Sequence, residues 1–294
     1  MGAQSKGTDE SVRTDQTEVG QIEIAPGVQL AQIGLGVFQV PPDEAQRVVE
    51  DALELGYRHI DTAAAYVNET GVGAAIKASG LAREEVFVTS KLRNGDQGYD
   101  STSRAYADTC GRLGLDRLDL YLIHWPYPSA GLFVDSWRAL EKLAADGSVR
   151  SVGVSNFLPE HLDAIAAASE LRPAVNQVEL HPTFQQTPVL AATRAAGAAV
   201  EAYSPLGQGA DLDSAPVLAA ARVHEATPAQ VVLAWHLQQG HIVIPKTARR
   251  ERMVENLAAA SLRLSEGELA DISGLDSEAR IGGDPATFAL TQIR

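Results

Sequence analysis

Asp61, Tyr66, Lys91 and His124 supply a carboxylate, a phenol, an ammonium and an imidazole. Each stands at, or just past, the end of an apolar run that reads as a β-strand. An apolar strand that ends in an acid, a base or a phenol is poor core chemistry and good site chemistry. In a barrel of parallel strands such ends converge on one face, where catalysis sits. Taken alone, Asp61 reads as well as a helix N-cap, and Tyr66 as a packed aromatic with its hydroxyl at the surface. Lys91 shifts the balance. Directly after the buried run Val86–Ser90 it needs a carboxylate partner, and Asp61 on the neighbouring strand can supply it. The ammonium beside the Tyr66 phenol then favours the phenolate and lowers a pKa that starts near ~10. At ~4 Å and an effective dielectric of ~20 that attraction is at most ~4 kcal/mol. The expected result is a phenol tuned as a general acid. His124, before Trp125-Pro126, reads alone as a core histidine. Beside Tyr66 it becomes a neutral donor that aims a carbonyl oxygen.

A second set follows later strands. Ser155 and Asn156 end one run, Asn176 and Gln177 another, and Tyr203-Ser204-Pro205-Leu206-Gly207 adds a flat ring and a turn. Loop capping by Ser and Asn is the plain reading. The functional one is a slot for a planar carboxamide-bearing ring stacked on Tyr203. Ile244-Pro245-Lys246-Thr247 then opens a loop before a helix that carries Arg252, Glu255 and Asn256. Strand eight and the helix after it are where barrels often hold phosphate.

The elements that must position these groups alternate regularly. Strands are expected at 33–38, 57–62, 85–90, 118–123, 149–154, 174–178, 199–203 and 241–245, after a hairpin over 21–33 around Ala25-Pro26-Gly27. Helices are expected near 43–55, 69–79, 100–114, 133–146, 159–169, 187–196, 214–225 and 250–259. Two more, near 228–239 and 266–273, read as additions. Within 43–55, Ala45, Val48, Val49, Ala52 and Leu53 keep helical spacing and Gly56 stops the run. Eight strand–helix units predict an α/β fold, a closed (β/α)8 TIM barrel with an N-terminal β-hairpin and two extra helices. The dinucleotide fingerprint is absent, since Gly34-Leu35-Gly36 and Gly71-Val72-Gly73 lack the third glycine. No P-loop and no H-E-x-x-H occurs.

Bulk properties narrow the function. The 294 residues carry a net charge of −14, which argues against a nucleic-acid surface and makes the basic cluster Lys246–Arg252 stand out. The single cysteine, Cys110, excludes an intrachain disulfide and a multi-cysteine zinc site, and no metal is expected. No apolar run of ~18 residues exists and residues 1–10 have no apolar stretch, so a cytoplasmic protein with no membrane partner is expected. Residues 1–20 are read as a disordered tail and 21–294 as one barrel domain.

The motifs together resemble the aldo-keto reductase family over roughly residues 22–290. Those that carry the resemblance are Gly56–Ala63, Leu118–Pro126, Gly153–Phe157, Ile244-Pro245-Lys246 and the Arg252…Glu255-Asn256 spacing. It implies a barrel that binds NADPH in an extended form, with Asp61, Tyr66, Lys91 and His124 as the catalytic tetrad. It implies that Ser155, Asn156 and Gln177 hold the nicotinamide carboxamide and that Tyr203 stacks on the ring. Gly36, Val37, Ser204, Pro205, Leu206 and Gly207 fall on further cofactor contacts. Lys246, Thr247 and Arg252 match the 2′-phosphate pocket, and Glu255 and Asn256 the adenine contacts. Phe38, Trp125 and Tyr66 would form an apolar mouth for a small carbonyl substrate, and a monomer is expected.

Two departures bear on that mouth. Arg93 stands where family members often carry tryptophan; it either attracts an anionic substrate such as a keto acid or keto sugar, or points to solvent. The stretch Arg280–Arg294 is short, from which a more open site and broad acceptance are expected, and Arg280–Pro285 resembles the tail of bacterial members that include diketogluconate-type reductases. Two other classes remain: a cofactor-binding regulatory barrel, and a Schiff-base lyase using Lys91, which a charged pair with Asp61 disfavours.

Overall fold

The computed structural model describes residues 19–291. Residues 1–18 of the expected tail lie outside them. Gly20 is part of the body, its carbonyl accepting from Gln32 N at 2.8 Å. Strands β1 (Gln21–Ala25) and β2 (Val28–Ala31) form the hairpin. It turns at Pro26-Gly27, where Gly27 takes φ 72°. The hairpin's Ile24, Val28 and Leu30 pack against Phe87, Leu120, Leu122, Val175 and Ile242 and plug one end of the barrel.

Eight parallel strands follow: β3 (Leu35–Gly36), β4 (His59–Asp61), β5 (Phe87–Leu92), β6 (Leu118–Ile123), β7 (Val149–Ser155), β8 (Val175–Glu179), β9 (Ala199–Tyr203) and β10 (Ile242–Val243). Each pairs with the next. The ring closes where Gly34 N donates to Val243 O (2.9 Å) and Val243 N donates to Gln32 O (2.8 Å). The chain therefore forms the expected (β/α)8 barrel. Strand β3 is shorter than the 33–38 expected from apolarity. Val37 N still bonds Asp61 O at the end of β4, and Gln39 then turns the chain at φ 59°.

The helices are α1 (Ala45–Glu54), α2 (Glu69–Ala78), α3 (Tyr99–Leu113), α4 (Phe133–Ala145), α5 (Pro159–Ala168), α6 (Thr187–Ala195), α7 (Ala215–Val223), α8 (Pro228–Gln238), α9 (Arg250–Ala258) and α10 (Glu266–Ser273). Helix α8 starts cleanly because Thr227 and Gln230 cap each other and Pro228 occupies the first turn. One expectation is corrected here. Helix α8 packs on β10 and α9, while α7 packs on α8 and α10, so α7 rather than the 228–239 helix is the added layer. Its Val217 and Ala220 meet Val231, Trp235 and Ile272 in a satellite core, which hydrophobic spacing alone cannot distinguish from the main one.

Strand parity fixes what points into the barrel. Register pairs His59 with Phe87, Asp61 with Thr89, and Gln177 with Glu201. Above the apolar plug therefore lies a polar layer containing His59 and Glu201, then Asp61, Gln177 and Lys91, then the mouth. Among the described residues no helix is long and apolar enough to cross a membrane.

Candidate active site

Lys91 is the penultimate residue of β5, and its side chain is fully buried. Burial opposes its charge, and three acceptors answer that: Asp61 Oδ1 at 2.6 Å, Thr62 O at 3.0 Å and Tyr66 Oη at 3.4 Å. Burial pulls the ammonium down, but Asp61 and Tyr66 together hold it above its usual range. Asp61 is fixed from its other side by Gln177 Nε2 at 2.9 Å. Tyr66 sits on a single 3-10 turn, Ala64–Tyr66, made possible by the small residues after Asp61 and ended by Val67 at φ 61°.

The expected lowering of the Tyr66 pKa is not found. Burial raises it, Lys91 lowers it, and Asp61 raises it again; the net is upward. The ammonium is largely neutralised by its own carboxylate, so its pull on the phenol falls short of the ceiling. Tyr66 accordingly keeps its proton, as a donor must. His124 lies edge-on to Tyr66, ring centroids 5.6 Å apart. Burial, then Lys91, holds the imidazole well below its usual range, so it is neutral. Its Nδ1 has no partner among the described residues.

Above these groups is a cavity of about 230 Å3. Gly36, Phe38, Asp61, Tyr66, His124, Trp125, Ser155, Asn156, Gln177, Tyr203, Ser204 and Lys246 all line it, so most of the sequence-predicted set converges. Gly36 is required by space, since a Cβ there would stand 2.7 Å from Ile244 O. Tyr203 donates to Asn156 Oδ1 at 2.9 Å, and Asn156 Nδ2 donates to His124 O at 3.0 Å. Asn156 thus ties three strand ends together. Val37 is outside the lining, because its N–H bonds Asp61 O and its carbonyl accepts from Asn68 Nδ2 at 2.9 Å.

From the cavity the Ser204–Gly207 turn leads outward, Ser204 at φ 48° and Gly207 N bonded to Ser204 O. Pro205 is buried there, its carbonyl facing His236 Nε2 at 3.0 Å. Leu206 packs on the core from the same turn. Across from it, helix α9 begins without a side-chain cap. Arg249, Arg250 and Arg252 crowd this N-terminus, where the helix dipole disfavours cations. Arg250 is paired with Asp51 and Glu54, but Lys246, Arg249 and Arg252 form no ion pair among the described residues. Positive charge placed against the dipole and left unmatched is the mark of an anion site. Thr247 turns the chain into it, accepting from Arg249 N at 3.1 Å. Asn256 is buried one turn on, and Glu255 accepts from Thr227 Oγ1.

The structure bears on two expectations about the mouth, and for Arg93 it favours the solvent-facing reading. Arg93 is not in the cavity. It forms a two-pronged pair with Asp96 (2.9 and 2.7 Å) and lines a separate surface groove with Val67, Arg104 and Arg112. The 3-10 turn Asn94–Asp96 brings that carboxylate within reach. The C-terminal stretch covers part of the site. Residues 281–288 roof it: Gly282, Gly283 and Phe288 line the cavity, and Phe288 stacks on Trp125 at 3.9 Å and 17°. Ile281 N and Gly282 N donate to Glu179 Oε1 (2.6 Å) and Oε2 (2.7 Å) and anchor the roof. Glu179 was legible in principle, two residues after Gln177 and hence on the same inward face. Phe288, on an irregular segment, gave no periodic signal.

The geometry has a counterpart in known proteins. The model of the Aldo/keto reductase family matches residues 30–277. The chain belongs to the aldo/keto reductase family. An aldo-keto reductase of Mycobacterium sp. (strain JLS) is 47% identical over 92% of this chain and 98% of its own. A glyoxal reductase of Bacillus subtilis is 45% identical over 90% of this chain and 95% of its own. The crystal structure of a Gox0644 mutant in complex with NADPH superposes with a TM-score of 0.88 at 44% identity, covering 92% of this chain and 99% of that one. In this aldo/keto reductase the Tyr66–Lys91–Asp61 cluster lies beneath a roofed apolar mouth.

Proposed function

We propose that the chain is an NADPH-dependent carbonyl reductase that converts aldehydes and ketones, α-dicarbonyls among them, to alcohols. The observation that carries this reading is Tyr66: a protonated phenol 3.4 Å from a buried ammonium and edge-on to a neutral imidazole, at the floor of an apolar cavity. The NADPH-bound neighbour supports the choice of cofactor. So does the unmatched charge of Lys246 and Arg252 at an uncapped helix start, which suits a 2′-phosphate.

Ser155, Gln177 and Tyr203 would bound the nicotinamide, Tyr203 by its face and Gln177 through its carbonyl oxygen, since its amide nitrogen already serves Asp61 and Glu201. When bound, NADPH supplies the hydride. The chain's own residues do the rest. Phe38, Trp125 and Phe288 exclude water around the carbonyl carbon. His124 donates one N–H to the carbonyl oxygen and fixes its direction toward Tyr66. Tyr66 releases its proton to that oxygen as charge develops there, and Lys91, held by Asp61, stabilises the phenolate left behind.

Tyr66→Phe keeps the ring and removes the proton. It should lower reduction by about 10²- to 10⁴-fold while NADPH still quenches tryptophan fluorescence at the wild-type concentration. Activity within a few-fold of wild type would remove Tyr66 from the donor role.

A further inference from the structure

The barrel interior holds a second carboxyl that the chemistry above does not use. Glu201 lies two residues before Tyr203 on β9 and is 0% exposed. Its register partner Gln177 donates from one nitrogen to Asp61 Oδ2 at 2.9 Å and to Glu201 Oε2 at 3.2 Å. Two carboxyls therefore share one amide group. The other oxygen of Glu201, Oε1, faces His59 Nε2 at 3.4 Å, and neither atom has a hydrogen-bond partner among the described residues.

The charges around this layer do not balance if both carboxyls are ionised. The cation that faces it is Lys91 on β5, whose ammonium is bonded to Asp61, Thr62 O and Tyr66 and not to Glu201. From β4 come His59 and Asp61, from β8 the neutral Gln177, and from β10 the apolar Ile242. Below, Phe87 lies edge-on to His59, and Asp119 on β6 is a further negative charge acting on that imidazole. Two carboxylates against one ammonium in a dry interior leave one charge without a partner, which is strongly unfavourable. His59 does not relieve it, because burial, only partly offset by Asp61, holds the imidazole down to about 4. Burial, then Asp61, pushes the Glu201 carboxyl up to about 8.

Building on the reductase reading, we infer that Glu201 is a positioning residue for proton transfer. Its carboxyl stays protonated against His59 at neutral pH and leaves Lys91–Asp61 as the sole ionised pair beneath Tyr66. When alkaline solvent removes that proton, only the Glu201 O–H bond is broken. The new negative charge strengthens the phenol's hold on its own proton and slows donation to the carbonyl.

Two readouts test this on the intact protein. The first is the infrared C=O stretch of a protonated carboxyl, which needs no turnover. It is expected in the wild type at neutral pH, shifted by ¹³C-glutamate labelling, fading as pH rises through about 8, and missing from Glu201→Gln. Absence of a glutamate band in the wild type overturns the inference, even if the variant fails to fold. The second is the pH profile of NADPH oxidation with a saturating aldehyde. The wild type should lose about threefold to tenfold through that pH range, and Glu201→Gln should not. An alkaline limb of the same size in both would sever Glu201 from the proton transfer. A wild type with the band but without turnover at any pH would instead overturn the reductase reading, and with it Glu201's part in the reaction.

Discussion

Replacing His181 by glutamine should flatten the alkaline part of the protein's stability curve. The imidazole is fully buried just past β8 between two carboxylates, Nδ1 2.9 Å from Asp211 Oδ2 and Nε2 3.2 Å from Glu179 Oε1. Burial lowers its pKa, but Asp211 and Glu179 outweigh that and push it up to about 9 from 6.5. The folded state thus holds this proton more tightly than the unfolded chain does. The stabilisation is fully present below pH 6.5 and is lost as pH rises through 9. The gap between those values corresponds to roughly 3 kcal/mol. Urea unfolding of wild type and His181→Gln across this range gives a difference curve free of what the two share. It should start near ~3 kcal/mol and shrink toward zero by about pH 10. A difference that stays constant with pH would refute a charged His181. Since Glu179 also holds Ile281 N and Gly282 N, hydrogen exchange at these two amides should quicken in the variant.

Two further perturbations probe the cofactor and the roof. Arg252→Ala should weaken NADPH by about tenfold to a hundredfold, the worth of a charge-assisted phosphate contact, with NADH little changed; equal losses would place the 2′-phosphate elsewhere. Phe288→Ala removes the stack on Trp125, worth ~0.5–1.5 kcal/mol beyond area burial, and should raise KM for aromatic aldehydes about threefold to tenfold while altering Trp125 emission; an unchanged KM would mean that the roof does not touch substrate.

The barrel was readable because its strands and helices differ in period and each ends on a turn signal. The cluster was readable because ionisable groups at the ends of apolar strands are otherwise unfavourable. The sign of the Tyr66 shift was not, since burial of the phenol is the largest influence on it and outweighs the pull of Lys91, which Asp61 partly offsets, and that burial is set by tertiary packing. Arg93 was left open because its partner, Asp96, is held there by a 3-10 turn with no periodic trace. The roof escaped for the same reason: residues 281–288 are placed by contacts with Glu179 and Trp125, far off in sequence. Glu201 and His59 hid in plain strand patterns, where a buried acid looks like any other inward position until the pairing register is known.

The hairpin that plugs the far end of the barrel with Ile24, Val28 and Leu30 also bears on the order of events. With that end filled, the way to Tyr66 among the described residues is the roofed mouth. In the proposed reductase, a nucleotide held by Tyr203, Ser204–Gly207 and α9 would lie deeper than a carbonyl beneath Phe288. If the chain acts as proposed, the carbonyl would arrive second and the alcohol would leave first. Steady-state kinetics should show an ordered sequence, with the alcohol product unable to compete with the nucleotide for the empty enzyme.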